Sequence, residues 1–213
     1  KRENPFAGTL CRICPAPCEK TCRRSDCDTS IRIRRINEQV TAEDLLSDTP
    51  YVPRPPEASG RKTAIIGAGP CGLTAAYFLL RNGISCTILD SGPGPGGSLR
   101  EQSGADSDFL RILEAEADVL LRMGAEMRGS VRVGSDMGFE DLAETYDAVI
   151  LAAGKSGVNA AVSWGLGATE KGIGADSRTF MTDRPGVFAG GGAVSGDLRI
   201  PAIASRHGKS IAA

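Results

Sequence analysis

The sequence has no uninterrupted apolar run approaching the roughly 20 residues that a membrane-spanning helix needs, and no secretory signal opens it. It has almost no net charge, because 25 basic and 26 acidic side chains nearly cancel, so no global field favours nucleic acid or an anionic membrane. It also lacks internal repeats, and low complexity is confined to the glycine-proline run at 92–97. These absences predict a soluble protein without membrane insertion or nucleic-acid binding.

Neither end of the sequence looks like a natural terminus. Lys1 is not an initiator methionine, and residues 205–213 have the pattern of an unfinished helix. We therefore expect the chain to be part of a longer polypeptide. Its 213 residues suffice for one full domain and a small appendage.

Cysteine is scarce and unevenly placed. Five of the seven cysteines lie between residues 11 and 27, whereas secreted disulfide frameworks spread cysteines along the chain that they staple. This crowding favours a reduced, cytoplasmic setting. The five residues are Cys11, Cys14, Cys18, Cys22 and Cys27.

Such short spacings suit an iron-sulfur cluster. Each thiolate can bind one iron of a cubane, and the intervening prolines stiffen the loop so that the ligands converge. Zinc is the main alternative, although structural zinc sites more often pair two short knuckles far apart in sequence. Free or disulfide-bonded thiols are a second alternative. The spacing predicts a [4Fe–4S] cluster ahead of both.

Composition divides the chain into three parts. Residues 1–48 are rich in cysteine and arginine, with a helix predicted at 31–46, and residues 49–61 form a proline-rich, extended linker. Residues 62–213 have the pattern of an α/β domain. Its predicted strands lie at 63–67, 85–90, 126–133 and 146–154, with a last strand and turn at 187–192. Its predicted helices lie at 73–81, at 106–123 and from 201 onward.

The first strand of this domain opens into a Gly-x-Gly-x-x-Gly turn. Gly67 permits the tight turn, Gly69 lets the backbone approach a pyrophosphate, and Gly72 allows close packing of helix on sheet. Asp90 ends the next strand about twenty residues later, where a carboxylate can accept hydrogen bonds from both ribose hydroxyls. The pattern predicts a dinucleotide site; the alternative is an α/β turn without a ligand.

Three further elements favour FAD over NAD as the dinucleotide. They are the glycine pair at 96–97, the strand end at 151–154 and the glycine-rich stretch at 186–192. With the cysteine block, these stretches resemble the small-subunit family of glutamate synthase. That family includes the NADPH-side subunit of ferredoxin-dependent transhydrogenase and the flavin half of dihydropyrimidine dehydrogenase. The resemblance runs from Asn4-Pro-Phe and Cys14-Pro-Ala-Pro-Cys-Glu19 to Gly186-Val-Phe-Ala-Gly190.

The resemblance implies a Rossmann-like FAD-binding domain preceded by a small, cysteine-rich, mostly helical iron-sulfur segment. With the turn chemistry, it predicts a set of cofactor-binding residues. The set comprises Gly67, Gly69, Pro70, Cys71, Gly72, Asp90, Ser91, Gly96, Gly97, Arg100, Val133, Ala152, Ala153, Gly154, Gly191, Gly192, Pro201 and Ala202.

Two departures from the family bear on function. The family inserts an NAD(P)H-binding domain after the strand that matches 151–154, but here only 35 residues separate Gly154 from Gly190. We therefore expect no NAD(P)H binding by this chain in the family's manner. In addition, family members usually carry Gly-Asp where this chain has Gly191-Gly192, so a side-chain acceptor for the flavin is missing and FAD binding could be weakened or rearranged.

The resemblance also assigns metal ligands. Cys14, Cys18 and Cys22 match the family's cysteines, Cys11 is one residue out of step, and Cys27 has no counterpart. A non-cysteine ligand is implied near the start of the following helix, where Asn37 aligns better than its neighbour Glu38. The five cysteines and Asn37 are thus the predicted metal ligands, and they suffice for at least one complete cluster. A second cluster would need ligands from upstream or from a partner.

The remaining candidate side chains are predicted to play structural roles. Cys71 and Cys86 are expected to pack as small apolar residues, and His207, the only histidine, to face solvent or cap its helix. No catalytic residue is assigned, because flavin and cluster chemistry belongs to the cofactors. The predicted function is an electron-transfer subunit of a hetero-oligomer with other iron-sulfur or flavin redox subunits. The alternatives are a degenerate flavoprotein scaffold, or a flavin half whose nicotinamide domain lies on another chain.

Overall fold

The amino-terminal segment is helical and packs against the α/β domain. The computed structural model describes residues 3–104, 106–196 and 200–213. Three helices form this segment: α1 at Ala7–Ile13, α2 at Pro17–Lys20 and α3 at Ile33–Leu45. The last of them is the helix predicted at 31–46, whereas α1 and α2 were not predicted. No helix or strand occurs between α3 and the first strand, over the residues of the predicted proline-rich linker.

A five-stranded parallel sheet forms the centre of the α/β domain. Its strands are β1 at Lys62–Ile66, β2 at Ser85–Leu89, β3 at Glu126–Arg128, β4 at Ala148–Leu151 and β7 at Val187–Ala189. They lie in the order β3-β2-β1-β4-β7, so the chain crosses over between β3 and β4. β1 and β4 are buried on both faces, as their apolar runs predict for central parallel strands. This order confirms the predicted Rossmann-like fold.

Two predicted strands are shorter than expected. β3 ends at Arg128 instead of reaching 133, because the chain turns away from the sheet and pairs with the loop after β2: Ser130 N–H donates to Gly92 O at 2.8 Å, and Val131 N–H to Asp90 O at 2.9 Å. β4 covers only Ala148–Leu151 of the predicted 146–154. The predicted far ends of these two strands were therefore wrong. β7 ends at Ala189, and a turn leads from it to a short helix that begins at Gly192, as predicted for a strand and turn at 187–192.

Helices cover both faces of the sheet. They are α4 at Pro70–Arg81, α5 at Ser98–Ser103, α6 at Ser107–Arg122, α7 at Phe139–Thr145, α8 at Val158–Ser163, α9 at Gly192–Ser195 and α10 at Pro201–Ile211. The long helix α6 has one apolar face, and its first turn is capped by Asp106, whose side chain accepts from Phe109 N–H at 3.0 Å. α10 packs closely on α4, where the hydroxyls of Thr74 and Ser205 lie 2.8 Å apart.

Residues 155–186 form a compact unit between β4 and β7. It contains α8 and an antiparallel hairpin of β5 at Ala168–Thr169 and β6 at Gly172–Ile173. The ring of Trp164 stacks on Phe139, with centroids 4.6 Å apart, and the guanidinium of Arg184 lies 5.2 Å from the centroid of Phe139. The sequence predicted no helix or strand here, so the hairpin and α8 are additions.

A buried carboxylate fixes α1 to the α/β domain. Glu116, on the buried face of α6, accepts hydrogen bonds from Gly8 N–H at 2.7 Å, from Thr9 N–H at 3.1 Å and from the Thr9 hydroxyl. A Cβ on Gly8 would lie 2.7 Å from Cγ2 of Ile112, so the close crossing of α1 over α6 requires glycine.

In the described part of the chain, no helix has both the length and the apolar character that crossing a membrane requires.

Candidate functional site

The glycine turn between β1 and α4 lies at the carboxyl edge of the sheet. Gly67 has φ +112°, and a Cβ there would lie 2.4 Å from the carbonyl oxygen of Ala152. A Cβ on Gly72 would lie 2.0 Å from the carbonyl oxygen of Gly67. Because these close contacts are with backbone atoms, no change of a side-chain rotamer can relieve them. Both glycines are therefore required for the turn itself, with or without a ligand.

Gly69 is different, because nothing requires it sterically. Its φ of −80° suits any residue, and a Cβ there would meet no atom within 4 Å. It precedes α4, a 12-residue helix whose first position is Pro70. The amide groups at the start of this helix have no intrahelical partners and favour an anion. Gly69 thus leaves open space where a pyrophosphate is expected to bind.

Three further predicted glycines border the same edge. Gly97 faces Gly69, since a Cβ on Gly97 would lie 3.2 Å from the Cα of Gly69. Gly192 faces Gly154 in the same way, at 3.5 Å, and a Cβ on Gly154 would meet nothing within 4 Å. Two glycine pairs, one after β1 and β2 and the other after β4 and β7, therefore lie at the carboxyl edge of the sheet, and this glycine-lined edge is called the cleft below. Such a cleft at the strand ends fits an extended dinucleotide.

Asp90 stabilises the turn through both of its carboxylate oxygens. One accepts from Ala68 N–H at 2.6 Å and the other from Gly92 N–H at 2.7 Å. Each carboxylate oxygen has a second lone-pair direction, so two acceptor positions remain for ribose hydroxyls. The structure thus adds a structural role to the binding role predicted for Asp90.

The other predicted cofactor-binding residues fall into two groups. Gly96 belongs to the cleft, because its N–H donates to Ala68 O at 2.8 Å and so brings the 96–97 turn beside the glycine turn. Arg100 instead donates to Pro95 O at 2.6 Å and pairs with Glu114 at 2.8 Å. Of the remaining residues, Ser91 is exposed, Val133, Ala152, Gly191 and Pro201 are buried, and Ala153 and Ala202 are half-buried.

The two isolated cysteines of the α/β domain are buried, as predicted for packing residues. Burial raises the pKa of Cys71 and that of Cys86 to about 12, so both thiols are neutral at physiological pH. Cys71 lies below the turn after β7: a Cβ on Gly190 would lie 2.8 Å from its sulfur. Its side chain therefore supports the cleft from behind, while its backbone belongs to the glycine turn.

The prediction for His207 was wrong. Its side chain does not face solvent but is 8% exposed, and its Nδ1 accepts a hydrogen bond from Gly191 N–H at 3.2 Å. The ring also packs against Phe180, with centroids 4.7 Å apart. The pKa of His207 is lowered by burial first and by the charge of Arg206 second. His207 is thus neutral and attached to one of the cleft's turns.

The cysteine segment brings three thiols near one another. The pKa of Cys11 is raised to about 11, by burial first and then by the negative charges that Cys14 and Cys18 can carry nearby. Cys11, Cys14 and Cys22 are half-buried, whereas Cys18 and Cys27 are exposed, and none of them forms a disulfide. Within the described ranges, no three histidine, cysteine or acidic side chains converge on one metal position. The described residues therefore show no preformed metal position in this segment, either for a single ion or for a cluster.

Two arginines near these thiols have buried nitrogens that form no hydrogen bond, although the Nε of Arg12 lies 3.5 Å from Oε1 of Glu38. The Nε groups of Arg12 and Arg34 are buried and lack a hydrogen-bond partner among the described residues. Arg12 follows Cys11 directly, and the Nη1 of Arg34 donates to Cys14 O at 3.2 Å. A thiolate-ligated iron-sulfur cluster is anionic and accepts hydrogen bonds at its sulfurs. The donor set and the N–H groups that form no hydrogen bond therefore fit such a cluster.

The predicted non-cysteine ligand lies on α3. Asn37 is exposed on this helix. Its neighbour Glu38 is already engaged, 3.5 Å from Arg12 and 3.6 Å from Arg35. These ion pairs leave Asn37 as the freer of the two side chains.

The sequence analysis did not single out Glu116. The signal was nonetheless present, because Glu116 lies three and four residues after the buried Leu113 and Ile112, in the middle of an apolar helix face. A carboxylate at such a position must be paired when buried.

The comparisons with known proteins agree with this arrangement. The family of NAD(P)-binding Rossmann-like domains matches residues 65–124, which contain the glycine turn and Asp90. A thioredoxin reductase from Streptococcus pyogenes shares the fold, with a TM-score of 0.51 and 13% identity; the match covers 72% of this chain and 97% of that one. At this identity, the likeness concerns the fold alone.

Curated relatives extend the comparison to function. NADPH-Fe(3+) oxidoreductase subunit beta of Geobacter sulfurreducens is 33% identical over 156 residues, which are 72% of this chain and 23% of that protein. The glutamate synthase [NADPH] small chain of Mycobacterium tuberculosis is 35% identical over 153 residues, covering 71% and 31%. The chain thus spans less than a third of the length of these relatives. Both are oxidoreductases or their subunits, which is the predicted class.

Proposed function

This chain is related in sequence to the small chains of glutamate synthase, and we propose from that relationship that it is an electron-transfer subunit of a multisubunit oxidoreductase. Electrons pass between FAD in the glycine-lined cleft and a [4Fe–4S] cluster at the amino-terminal cysteines. Partner subunits with other iron-sulfur or flavin centres receive or supply them. The proposed setting is the cytoplasm, where thiols stay reduced.

The observation that carries this proposal is the open space at Gly69 and Gly154, where a Cβ would meet no atom within 4 Å. Sterics therefore do not require glycine at Gly69. The backbone of Gly69 would bind the pyrophosphate, and Asp90 would hold a ribose through its two remaining acceptor positions. Bound FAD would accept electrons in pairs and release them one at a time. The chain itself binds and orients the cofactor and excludes water from its inner face.

FAD is preferred to NAD(P)H as the ligand of this cleft. Glycines follow four of the strand ends along the cleft. The compact unit at 155–186 occupies the position in the sequence where the family has its nicotinamide domain. That unit consists of α8 and the β5-β6 hairpin and contains no parallel strands. NAD(P)H therefore serves as electron donor only through another chain or segment in this proposal.

The cysteine segment would hold the cluster next to the flavin domain. Cys11, Cys14, Cys18 and Cys22 supply four thiolates, with Cys27 and Asn37 as the further predicted ligands. The guanidinium of Arg34, whose buried Nε forms no hydrogen bond, would offset part of the negative charge of the cluster. One cluster can form from this chain alone, and a second needs ligands from upstream or from a partner.

The substitution Gly69→Ala tests the cleft without disturbing the fold. The added Cβ meets no protein atom within 4 Å, so the melting temperature should match that of the wild type. FAD binding, measured by flavin absorbance and fluorescence quenching, should be lost, because the methyl group fills the space next to the pyrophosphate. The contrasting variant Gly67→Ala should lose both folding and binding, since its Cβ would lie 2.4 Å from Ala152 O. Unchanged FAD affinity in Gly69→Ala would contradict the proposed site.

Anaerobic reconstitution tests the cluster. The full chain, supplied with iron, sulfide and FAD, should show flavin absorbance and, after reduction, an EPR signal of a [4Fe–4S] cluster. Serine variants of Cys11, Cys14, Cys18 and Cys22 should lose the signal, whereas Cys86→Ser, on β2, should keep it. A preparation with stoichiometric zinc and no iron would overturn the assignment.

A scaffold function is the second candidate. It is favoured by Gly192, which has no side-chain acceptor, and by the engagement of both Asp90 oxygens within the protein. Depleting FAD from the assembled complex separates the two functions. Electron flux should collapse if the chain is a relay and should persist if it is a scaffold.

A further inference from the structure

The turn after β7 has no polar side chain of its own in the cleft. Gly190, Gly191 and Gly192 follow one another, and Gly191 adopts φ +64° and ψ −143°, a conformation that favours glycine. This turn borders the cleft, because a Cβ on Gly192 would lie 3.5 Å from the Cα of Gly154. A residue outside the turn must therefore fix the position of its backbone.

His207 provides that support. Its Nδ1 accepts the hydrogen bond from Gly191 N–H at 3.2 Å, in a place where both residues are buried. A buried N–H without a partner is costly, so this bond selects the position of the Gly191 peptide. Other contacts limit the movement of Gly191: a Cβ on it would lie 3.0 Å from Cβ of Cys71 and 3.6 Å from Cβ of Ala204.

The imidazole itself is held in place from the opposite side. Phe180 packs against it, with centroids 4.7 Å apart and planes at 43°. Phe180 has φ +60°, which is unusual for a residue with a side chain. Its strained backbone is fixed by hydrogen bonds at 2.8 Å to Asp176 O and at 2.9 Å from Ala189 N–H. The residue that packs against the His207 ring thus has a strained backbone conformation.

Resting on the proposed FAD function, we propose that His207 is a positioning residue for the flavin site. Its neutral imidazole holds the Gly191–Gly192 turn in the FAD-binding conformation, and its protonation releases the turn. Imidazolium carries an N–H at both ring nitrogens, so it cannot accept from Gly191. FAD affinity should therefore fall at acidic pH, through a side chain that does not touch the cofactor.

The charged and titratable groups around His207 favour its neutral imidazole. On α10, Arg206 lowers the pKa of His207, adding to the larger effect of burial, and Lys209 pairs with Glu3. On α4, Cys71 is a neutral thiol. On the Phe180 loop, the carboxylate of Asp176 accepts from the Thr179 hydroxyl and N–H and from Arg178 N–H.

The direction of the pH effect follows from these contacts. Because the pKa of His207 is lowered, this side chain binds a proton less readily in the folded, FAD-binding conformation than in the unfolded chain or after the turn is released. The hydrogen bond from Gly191 is intact above the unperturbed histidine pKa of about 6.5 and is lost as pH falls through the lower pKa of the folded protein. The wild type should therefore lose FAD affinity only below about pH 6.5.

The test compares wild type, His207→Asn and His207→Leu as full chains, by titrating FAD fluorescence between pH 8 and pH 5. Wild type should bind FAD at least about fivefold more weakly at the acidic end, because a buried N–H loses its acceptor. In His207→Asn, Oδ1 lies near the former position of Nδ1 and does not titrate, so tight binding should persist across the range. In His207→Leu, binding should be weak at every pH.

These outcomes separate this inference from the proposed function. A wild type that binds FAD equally well from pH 8 to pH 5, or a His207→Asn variant with the wild-type pH profile, overturns the role of His207 and leaves the FAD site intact. A wild type that binds no FAD at any pH overturns both. Thermal unfolding of the FAD-free variants gives a second measurement: His207→Asn should lose less stability than wild type between pH 8 and pH 5.

Discussion

Gly8 N–H and Glu116 Oε1 lie 2.7 Å apart, although 108 residues separate them in sequence. The carboxylate also accepts from Thr9 and so satisfies the free amide groups at the start of α1. Cys11 lies on the same short helix. One buried side chain of the α/β domain therefore sets where the cysteine segment begins.

Replacing this carboxylate should loosen the cysteine segment. In Glu116→Gln, one acceptor oxygen becomes an NH₂ group that faces a donor of Gly8 or Thr9. We expect a loss of about 1–3 kcal/mol in the free energy of unfolding, measured by urea denaturation. Hydrogen exchange at residues 7–13 should rise above that of the wild type. Asp118→Asn, an exposed change on the same helix, is the control and should alter neither quantity; equal exchange in both variants would contradict this role of Glu116.

Close packing behind the cleft predicts coupling between Gly190 and Cys71. Gly190→Ala should cost about 1–3 kcal/mol, because its Cβ would lie 2.8 Å from the Cys71 sulfur and 2.7 Å from Cδ1 of Ile211. Adding Cys71→Ala removes the first contact, so the double variant should be more stable than the two separate effects predict. Thermal denaturation gives the values. Cys86→Ala, three strands away on β2, should combine additively with Gly190→Ala.

Thiol reactivity should follow exposure and pKa. In the cluster-free chain at pH 8, iodoacetamide should label Cys18 and Cys27 first, because both are exposed. Cys11, with a pKa of about 11, and the buried Cys71 and Cys86, with pKa values of about 12, should react last. Mass spectrometry of tryptic peptides at successive times gives the order. Labelling of Cys71 as fast as Cys18 would show that the turn opens readily.

Alkaline pH should weaken the fold through the same thiols. Their pKa values in the folded protein are raised to about 12, above that of an unburied thiol, so the unfolded state releases its protons first as pH rises. The contribution of Cys71 and Cys86 to stability is complete below about pH 9 and declines towards pH 12. Urea midpoints at pH 8 and pH 10 should differ in wild type and differ less in Cys86→Ala. An equal difference in the two proteins would assign the effect to other groups.

The stacked pair of Phe139 and Trp164 should stabilise the compact unit at 155–186. Phe139→Ala removes a buried ring and should cost about 3–5 kcal/mol. Trp164 is the only tryptophan, so its emission reports this unit directly and should shift to longer wavelength. Val162→Ala, at an exposed position of α8, should leave the emission unchanged. An unshifted spectrum in Phe139→Ala would contradict the stacking.

The local patterns that the sequence predicted correctly are those formed by neighbouring residues. The apolar run before Gly67, the glycine spacing to Gly72 and the acid at Asp90 predict strand, turn, helix and strand in order, because each depends on contacts within about 25 residues. The burial of Cys71 and Cys86 follows from the same pattern. The helix at 31–46 was predicted for the same reason.

The errors occurred where distant segments meet. The predicted strand at 126–133 stops at Arg128 because the chain pairs with the loop at 90–92. His207 was placed in solvent because nothing in its own helix shows that Phe180 and Gly191 enclose it. α8 and the β5-β6 hairpin are too short for a periodic pattern to identify.

The sequence by itself therefore determined the Rossmann-like sheet, the glycine turn with its acid, and the crowding of five thiols, since these depend on backbone conformation and on spacing along the chain. Tertiary structure alone decided that Glu116 anchors α1, that His207 supports Gly191, and that four glycines line one cleft. The reason is physical: a buried carboxylate or imidazole must find its hydrogen-bond partners, and the packing of helices on the sheet brings those partners from remote parts of the chain.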